Sequence, residues 1–484
     1  MGSITEGVAM TPNKILPGGR LRRLALASAA LWLTGCASLS PDGGLQPVRD
    51  ATRQHLDQEL ALPRDAQQQD ELARRVQELL AQPLSERSAV QVALLNNRGL
   101  RASLHALGVA DADRVQASRL PNPGFSFARL KKGDEREIER GFTLDLAHVI
   151  ALPLARRVED RRFAALQRAT VMEVLALAAE TRKAYVAAVA AEQMARYQQD
   201  VRESAEAGAE LAARLARIGN FSKLQQAREQ GFHSEAVLNA ARAEQARVAA
   251  RERLTRLLGL WGAQTQFQLP ERLPDLPQQP DAREGLEQLA MAQRLDVQAA
   301  RAQMEATAHG LGLTRVTRLA SALELGWTHN TSNEAPRQTG WEIGFEIPLF
   351  DWGEARSARA ESLYLQSANR AVQTAIEARS EVREAYLGYR AAYDIARHYR
   401  DEVVPAAKRV SDENLLRYNG MFISVFELLA DARAQIAAVN ASIAAQRDFW
   451  TAQADLDMAL IGKPSLAAPA APGAAAPGNA AAGH

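Results

Sequence analysis

Two kinds of hydrophobic spacing run along this chain, and they occupy different stretches. Residues 154–207 contain neither glycine nor proline, and their apolar face is built largely from alanine, as at Ala187, Ala188, Ala190 and Ala191. A helix of that length would reach about 80 Å at 1.5 Å per residue. Residues 354–387 and 421–461 are likewise free of both breakers, with Ala437, Ala438, Ala441, Ala444 and Ala445 in the last stretch. Helices of ordinary globular domains average three turns. Segments this long belong to coiled coils, helical repeats or the wall of a tube, and their alanine faces permit close packing on both sides.

Four short segments follow a period of two instead. In Trp341-Glu342-Ile343-Gly344-Phe345-Glu346-Ile347 the odd positions are large and apolar, and the even ones are acidic or glycine. Leu323-Glu324-Leu325-Gly326-Trp327-Thr328 and Gly141-Phe142-Thr143-Leu144-Asp145-Leu146 repeat the pattern, and Phe125-Ser126-Phe127-Ala128-Arg129 carries it most weakly. Such alternation describes either a half-buried strand of a soluble sheet or a lipid-facing strand of a barrel. Asp145, Glu324, Glu342 and Glu346 share one face and suit a water-filled lumen, with Trp327 and Trp341 in interfacial girdles. Four strands cannot close a barrel, which takes about eight. Open edges in hydrocarbon would leave backbone groups unpaired, so several chains would have to share one barrel; three would supply twelve strands.

The landmarks recur in one order. Asn96-Asn97-Arg98-Gly99-Leu100-Arg101-Ala102-Ser103 resembles Gln293-Arg294-Leu295-Asp296-Val297-Gln298-Ala299-Ala300 at an offset of 197. Pro153 answers Pro348 at 195, each followed by a very long helix, and Arg214-Leu215-Ala216-Arg217-Ile218-Gly219 answers Leu415-Leu416-Arg417-Tyr418-Asn419-Gly420 at 201. A drifting offset is what diverged duplication leaves. The expected organisation is a two-repeat chain: residues 85–263, a linker at 264–284 with Pro270, Pro274, Pro277 and Pro280, and residues 285–463. An N-terminal segment, 36–84, precedes them, and an Ala/Pro/Gly-rich tail, 464–484, reads as disordered.

Composition narrows the function. The formal net charge of +1 over 484 residues argues against nucleic acid as a partner. Beyond residue 35 no run of 18 apolar residues occurs, so any membrane crossing by the mature protein must use strands. The eight histidines are scattered without the spacing of a helical metal site. No GxSxG, P-loop or dinucleotide fingerprint is present. Asp111 with Asp113, and Asp455 with Asp457, read as helix-surface carboxylates. The expectation is therefore no enzyme, no catalytic residue, no metal site and no cofactor.

The N-terminus carries a separate signal. Lys14, Arg20, Arg22 and Arg23 precede an apolar stretch at 24–33, which ends in Leu33-Thr34-Gly35-Cys36. Leu33 to Cys36 resembles the lipobox of bacterial lipoproteins. The resemblance implies a signal peptide at 1–35, with Met1 or Met10 as the start, and a diacylated Cys36 as the mature N-terminus. Ala37, in place of aspartate, implies sorting to the outer membrane. Cys36 is the only cysteine, which excludes an intrachain disulfide.

Arg119-Leu120-Pro121-Asn122-Pro123, and Ile347-Pro348-Leu349-Phe350-Asp351-Trp352-Gly353-Glu354, resemble segments of the TolC-family outer membrane factors, a likeness that covers about residues 85–463. It implies a mainly α fold with a small membrane β-barrel. Three chains would form a homotrimer with a 12-stranded β-barrel and a long periplasmic α-helical barrel. The assembly would be an exit duct in the cell outer membrane, lipid-anchored, carrying substrates from an inner-membrane pump through a periplasmic adaptor (a membrane fusion protein) to the exterior. Drug, metal-ion and protein export share such a duct. The rival class is a periplasmic adaptor or structural coiled-coil lipoprotein without a channel. By the same likeness, Gly219 and Gly420 turn the two helical tips in left-handed conformation, and Arg217 and Arg417 lie where adaptor helices dock. Both arginines also suit a helix C-terminus without any partner. The family's acidic gate ring would fall at Glu427, unless that residue is a plain helix-surface glutamate. A second ring falls at Ala430, so it is absent or displaced to Asp431.

Overall fold

The computed structural model describes residues 38–282, 284–317, 323–345 and 352–465. The expected signal segment, Cys36, Glu346, the stretch from Ile347 to Asp351 with Pro348, and the residues beyond Ser465 lie outside the described residues.

The described residues begin with two helices that period counting did not single out. They are α1 (Gln46–Leu56), with proline in its first turn, and α2 (Ala66–Leu80), capped by Asp65, whose carboxylate accepts from Gln68 N at 2.7 Å. α3 (Glu86–Asn96) starts in a capping box between Ser85 and Ser88, and α4 (Arg98–Ala117) follows after one extended residue, Asn97. Then come β1 (Gly124–Lys132), β2 (Glu135–Asp145), α5 (Leu146–Arg217) and α6 (Lys223–Leu258). A short 3-10 turn (Gly262–Thr265) leads through the proline-rich stretch to α7 (Leu286–Gln293) and α8 (Leu295–Thr317). β3 (Leu323–Ser332), β4 (Gln338–Phe345), α9 (Glu354–His398), a π-helical turn (Tyr399–Val403), α10 (Val404–Asn419) and α11 (Val425–Ile461) complete the described chain.

The molecule divides into two compact units, one holding the sheet (residues 112–156 and 320–347) and the other the helical remainder from residue 41 onward. In the first, the four strands pair antiparallel in the order β1-β2-β3-β4. In the second, Leu45, Val48 and Leu60 pack on Leu94, Leu104, Val174 and Leu175. A further cluster joins Val76 to Tyr185, Leu254, Leu258, Phe267 and Leu273, and a third gathers Tyr389, Tyr393, Phe449 and Leu460. The proline-rich linker is pinned to these cores: Tyr393 donates to Gln278 O at 2.7 Å, and Trp450 Nε1 donates to Pro274 O at 3.1 Å. Among the described residues, no helix is long and apolar enough to cross a membrane.

Several boundaries differ from expectation. α5 starts at Leu146, so Pro153 sits inside it; Asp145 caps it by accepting from His148 N at 2.9 Å. The helix continues through Gly208 for 72 residues in all, about 108 Å. α9 likewise runs through Gly388 beside the buried Tyr389 and Tyr393. A mid-helix glycine costs only about 1 kcal/mol, less than burial of one such ring contributes. The π turn has a local cause. Pro405 lacks the N–H that would bond Asp401 O, and Val404 N–H instead reaches back five residues to Tyr399 O. Asp111 and Asp455 are buried, not surface carboxylates; Asp455 accepts from Lys183 Nζ at 2.9 Å.

The break between α3 and α4 has a counterpart between α7 and α8. Asn97 is extended and donates to Leu257 O at 2.9 Å. Arg294 is extended at the corresponding place and donates to Ala459 O at 3.2 Å and Ala378 O at 3.4 Å. It also contacts Asp296 and Glu381, each at 2.6 Å, with its side chain fully buried. Each break is thus tied to the C-terminal turn of a long helix.

Candidate functional site

The sheet sorts its side chains by face. Partners across antiparallel strands share a face, and neighbours along a strand alternate. One row of aromatic residues, Phe125, Phe142, Trp327 and Trp341, therefore crosses all four strands on one face. Phe125 and Phe142 lie with ring centroids 5.0 Å apart, and Phe142 and Trp327 lie 6.0 Å apart. Leu144, Leu325 and Ile343 form the next row on the same face. Phe125, Phe142, Trp341 and Ile343 are exposed, and Trp341 is 76% so. An apolar stripe of this kind left open to solvent marks an interaction surface.

The opposite face is small and acidic. Asp145 lies opposite Glu324, which lies opposite Gly344, and Gly326 lies opposite Glu342. Gly141 has no room for a side chain, since a Cβ there would stand 2.5 Å from Ser126 Oγ. The alternation read from sequence holds at 145, 324 and 342, although Asp145 also caps α5. β1 and β4 each have one side without a strand partner among the described residues.

The two tips are built alike but not at the residues that sequence identity pairs. α5 ends in a Schellman turn: Gly219 is left-handed (φ 82°), Gly219 N donates to Ala216 O at 3.2 Å, and Asn220 N donates to Leu215 O at 3.0 Å. At the second tip Gly420 is right-handed (φ −81°), and the left-handed residue is Met421 (φ 63°). Met421 N donates to Tyr418 O and Phe422 N to Arg417 O, both at 2.9 Å. The expected role of Gly420 is therefore corrected. A Cβ at 420 would lie 2.8 Å from the exposed Phe422 ring, which would have to swing aside to admit it.

A methionine held left-handed costs roughly 1–2 kcal/mol. Met421→Gly should relieve about 1 kcal/mol of it and slow amide exchange of Phe422 roughly fivefold. Hydrogen exchange read by mass spectrometry checks this; faster exchange would mean that the methionine holds the turn by contacts.

Capping boxes start both return helices, Ser222 with Gln225 and Ser424 with Glu427. Glu427 thus turns its carboxylate back to accept from Ser424 N at 3.2 Å. Asp431 accepts from Asn414 Nδ2 of the facing helix. Arg217 and Arg417 are both exposed, and Arg417 contacts Glu413 at 3.1 Å. Ile218, Leu224, Leu416, Met421 and Phe422 are exposed apolar neighbours. Sequence reading missed the contact between the hairpins: Arg433 meets the buried Glu229 at 3.2 Å and lies 4.3 Å over the Phe232 ring. It also missed Lys183, which sits between Asp455 and Glu180. Burial pushes the Asp455 carboxyl above its ordinary value, against the hydrogen bond and charge of Lys183. Burial acts in the same sense on Glu180, but there hydrogen bonds from Lys183 and Ser465, with the charges of Lys183 and Arg253, outweigh it and hold the carboxyl low.

No protein-family model matches the chain, and no curated protein sequence matches it either. Solved structures do. A membrane protein from Pseudomonas aeruginosa superposes at a TM-score of 0.68 with 20% identity, over 78% of this chain and 93% of that one. The Campylobacter jejuni CmeC outer membrane channel gives 0.67 and 16%, over 83% and 89%. CusC, solved to follow folding and transmembrane channel formation, gives 0.65 and 18%, over 78% and 92%. The chain shares its fold with these structures, the CmeC outer membrane channel among them.

Proposed function

We propose that this protein is a TolC-family outer membrane factor, the exit duct of a tripartite efflux or secretion system. The observation that carries the reading is the four-stranded sheet, with an exposed aromatic face, an acidic face and two open edges, in a chain that shares its fold with outer membrane channels. Three chains would pair β1 of one with β4 of the next and close twelve strands around the small acidic face, turning the aromatic row to lipid. The paired breaks at Asn97 and Arg294, and the twin tips, support a two-repeat chain. Cys36 would add a diacyl anchor to the outer membrane. A periplasmic adaptor would seat on the apolar tips near Arg217 and Arg417 and link the duct to an inner-membrane pump. The rival reading, an adaptor or coiled-coil lipoprotein, gains no support from the fold.

Glu427, repeated three times around one axis, is the candidate gate. Like charges there repel unless cations or protons join them. The test is one preparation and two measurements. In detergent the purified protein should be a heat-modifiable trimer, and in planar bilayers it should conduct. Glu427→Gln should lower cation selectivity and divalent-ion block without disturbing the trimer. A folded monomer that never conducts would overturn the duct; unchanged selectivity would leave Glu427 as a helix cap only.

A further inference from the structure

Beyond the aromatic row, the first hairpin sorts its charges by face. Going toward the turn at Gly133 and Asp134, Phe127 lies opposite Arg140, Arg129 opposite Ile138 and Lys131 opposite Arg136. These pairs fall at even steps from Phe125 and Phe142 and so share their face. The pairs between them, on the other face, are Ala128 with Glu139, Leu130 with Glu137 and Lys132 with Glu135. On β3 the aromatic face continues as His329 and Thr331. Arg129, Lys131, Arg136 and Arg140 thus stand together on the aromatic side, with the glutamates of β2 on the other.

None of these four cations belongs to an ion pair among the described residues. Lys131 stands directly opposite Arg136, an arrangement of like charges that disfavours the sheet by itself. An anion between the strands would remove that cost. At 3.3 Å per residue, Arg140 lies about 7 Å from the aromatic row, Arg129 about 13 Å, and Lys131 with Arg136 about 20 Å. Aromatic girdles mark the edges of the hydrocarbon, and with the Trp327 and Trp341 row taken as the outer edge this band falls at headgroup depth. Three of the four are arginines, whose planar fork takes two phosphate oxygens at once.

We propose that Arg129, Lys131, Arg136 and Arg140 form a collar that binds phosphorylated lipid headgroups of the outer leaflet. The proposal rests on the barrel reading above, with the hairpin turns directed outward. The occupant is a lipid because the cations continue an apolar face; a soluble anion would have no use for the aromatic row beside them.

Native mass spectrometry of the purified full-length assembly, titrated with a diphosphorylated glucosamine lipid and with its dephosphorylated form, tests it. The unaltered protein should prefer the phosphorylated lipid by ~10-fold or more, since each cation near an anionic lipid surface contributes roughly fivefold. The variant R129Q/K131Q/R136Q/R140Q should lose that preference, and E135Q/E137Q/E139Q should keep it. If the fourfold variant does not assemble, R129Q/K131Q and R136Q/R140Q carry the comparison. Equal binding of the two lipids by the unaltered protein, or an undiminished preference in the variants, would overturn the collar. So would uptake of inorganic phosphate as strong as that of the lipid. Channel conductance recorded on the same preparations separates the outcomes: conduction without lipid preference removes the collar alone, whereas absent conduction removes the duct.

Discussion

Arg294→Met should destabilise the protein by about 3–5 kcal/mol, the usual result of removing one partner from a buried charge cluster. The Arg294 side chain is 0% exposed and bridges Asp296, Glu381 and the carbonyls of Ala378 and Ala459. Burial alone would depress its pKa, but hydrogen bonds and charge from Asp296 and Glu381 outweigh that and hold it above the ordinary arginine value. Methionine fills much of the space and supplies none of the donors. Two carboxylates would be left facing each other, and Ala459 O, in the last turn of its helix, would lose its donor. Arg294→Lys keeps a charge but not the fork and should fall between. Denaturant unfolding followed by tryptophan fluorescence reads the loss. Adding Asp296→Asn and Glu381→Gln to Arg294→Met should restore most of it, because the stranded charges then disappear. A single-variant loss below about 1 kcal/mol would mean that water reaches this cluster.

Neighbouring residues of β4 should respond in opposite ways to the same replacement. Ile343 is 64% exposed on the aromatic face, and Glu342 stands on the other face opposite Gly326. An arginine facing lipid costs about 2–4 kcal/mol at mid-bilayer, and a trimer would bear it three times. Ile343→Arg should therefore strip the heat-modifiable oligomer from the outer membrane. Glu342→Arg has room over the glycine and points into the proposed lumen. It should assemble normally and shift the reversal potential toward anion preference. Normal assembly of Ile343→Arg would show that this face does not meet lipid.

Period alone could locate the inner halves of the strands but not the outer ones. From Glu135 to Arg140, β2 carries charge on both faces, so no hydrophobic alternation marks it. The long helices were legible from their alanine-rich stretches, yet their ends were not. Pro153, Gly208 and Gly388 read as stops, but packing against distant segments outweighs their local cost. Asp455 looked like a surface residue because the partner that buries it, Lys183, lies 272 residues away. Among the site residues, Gly219 was legible because a left-handed turn selects glycine. Gly420 misled for a related reason. Glycine also occurs where the backbone is right-handed, as at Gly420, and identity cannot tell these two settings apart. The true correspondence pairs Gly219 with Met421, one residue beyond the pairing that shared glycines suggest.

The π turn at Tyr399–Val403 lengthens the second descending helix by one residue relative to an uninterrupted α-helix. One residue is about 100° of helical rotation, so every side chain from Val404 to Asn419 is turned away from the heading of α9. The first hairpin, with α5 running unbroken, receives no such rotation. A threefold assembly would therefore end in six tips of two alternating kinds, one ending in neutral Gln225 and the other in acidic Glu427. Its outline would approach sixfold symmetry while its chemistry stayed threefold. A docking ring of six identical subunits could not make six identical contacts with it; its subunits would have to bind as three pairs, each pair divided between two unlike seats.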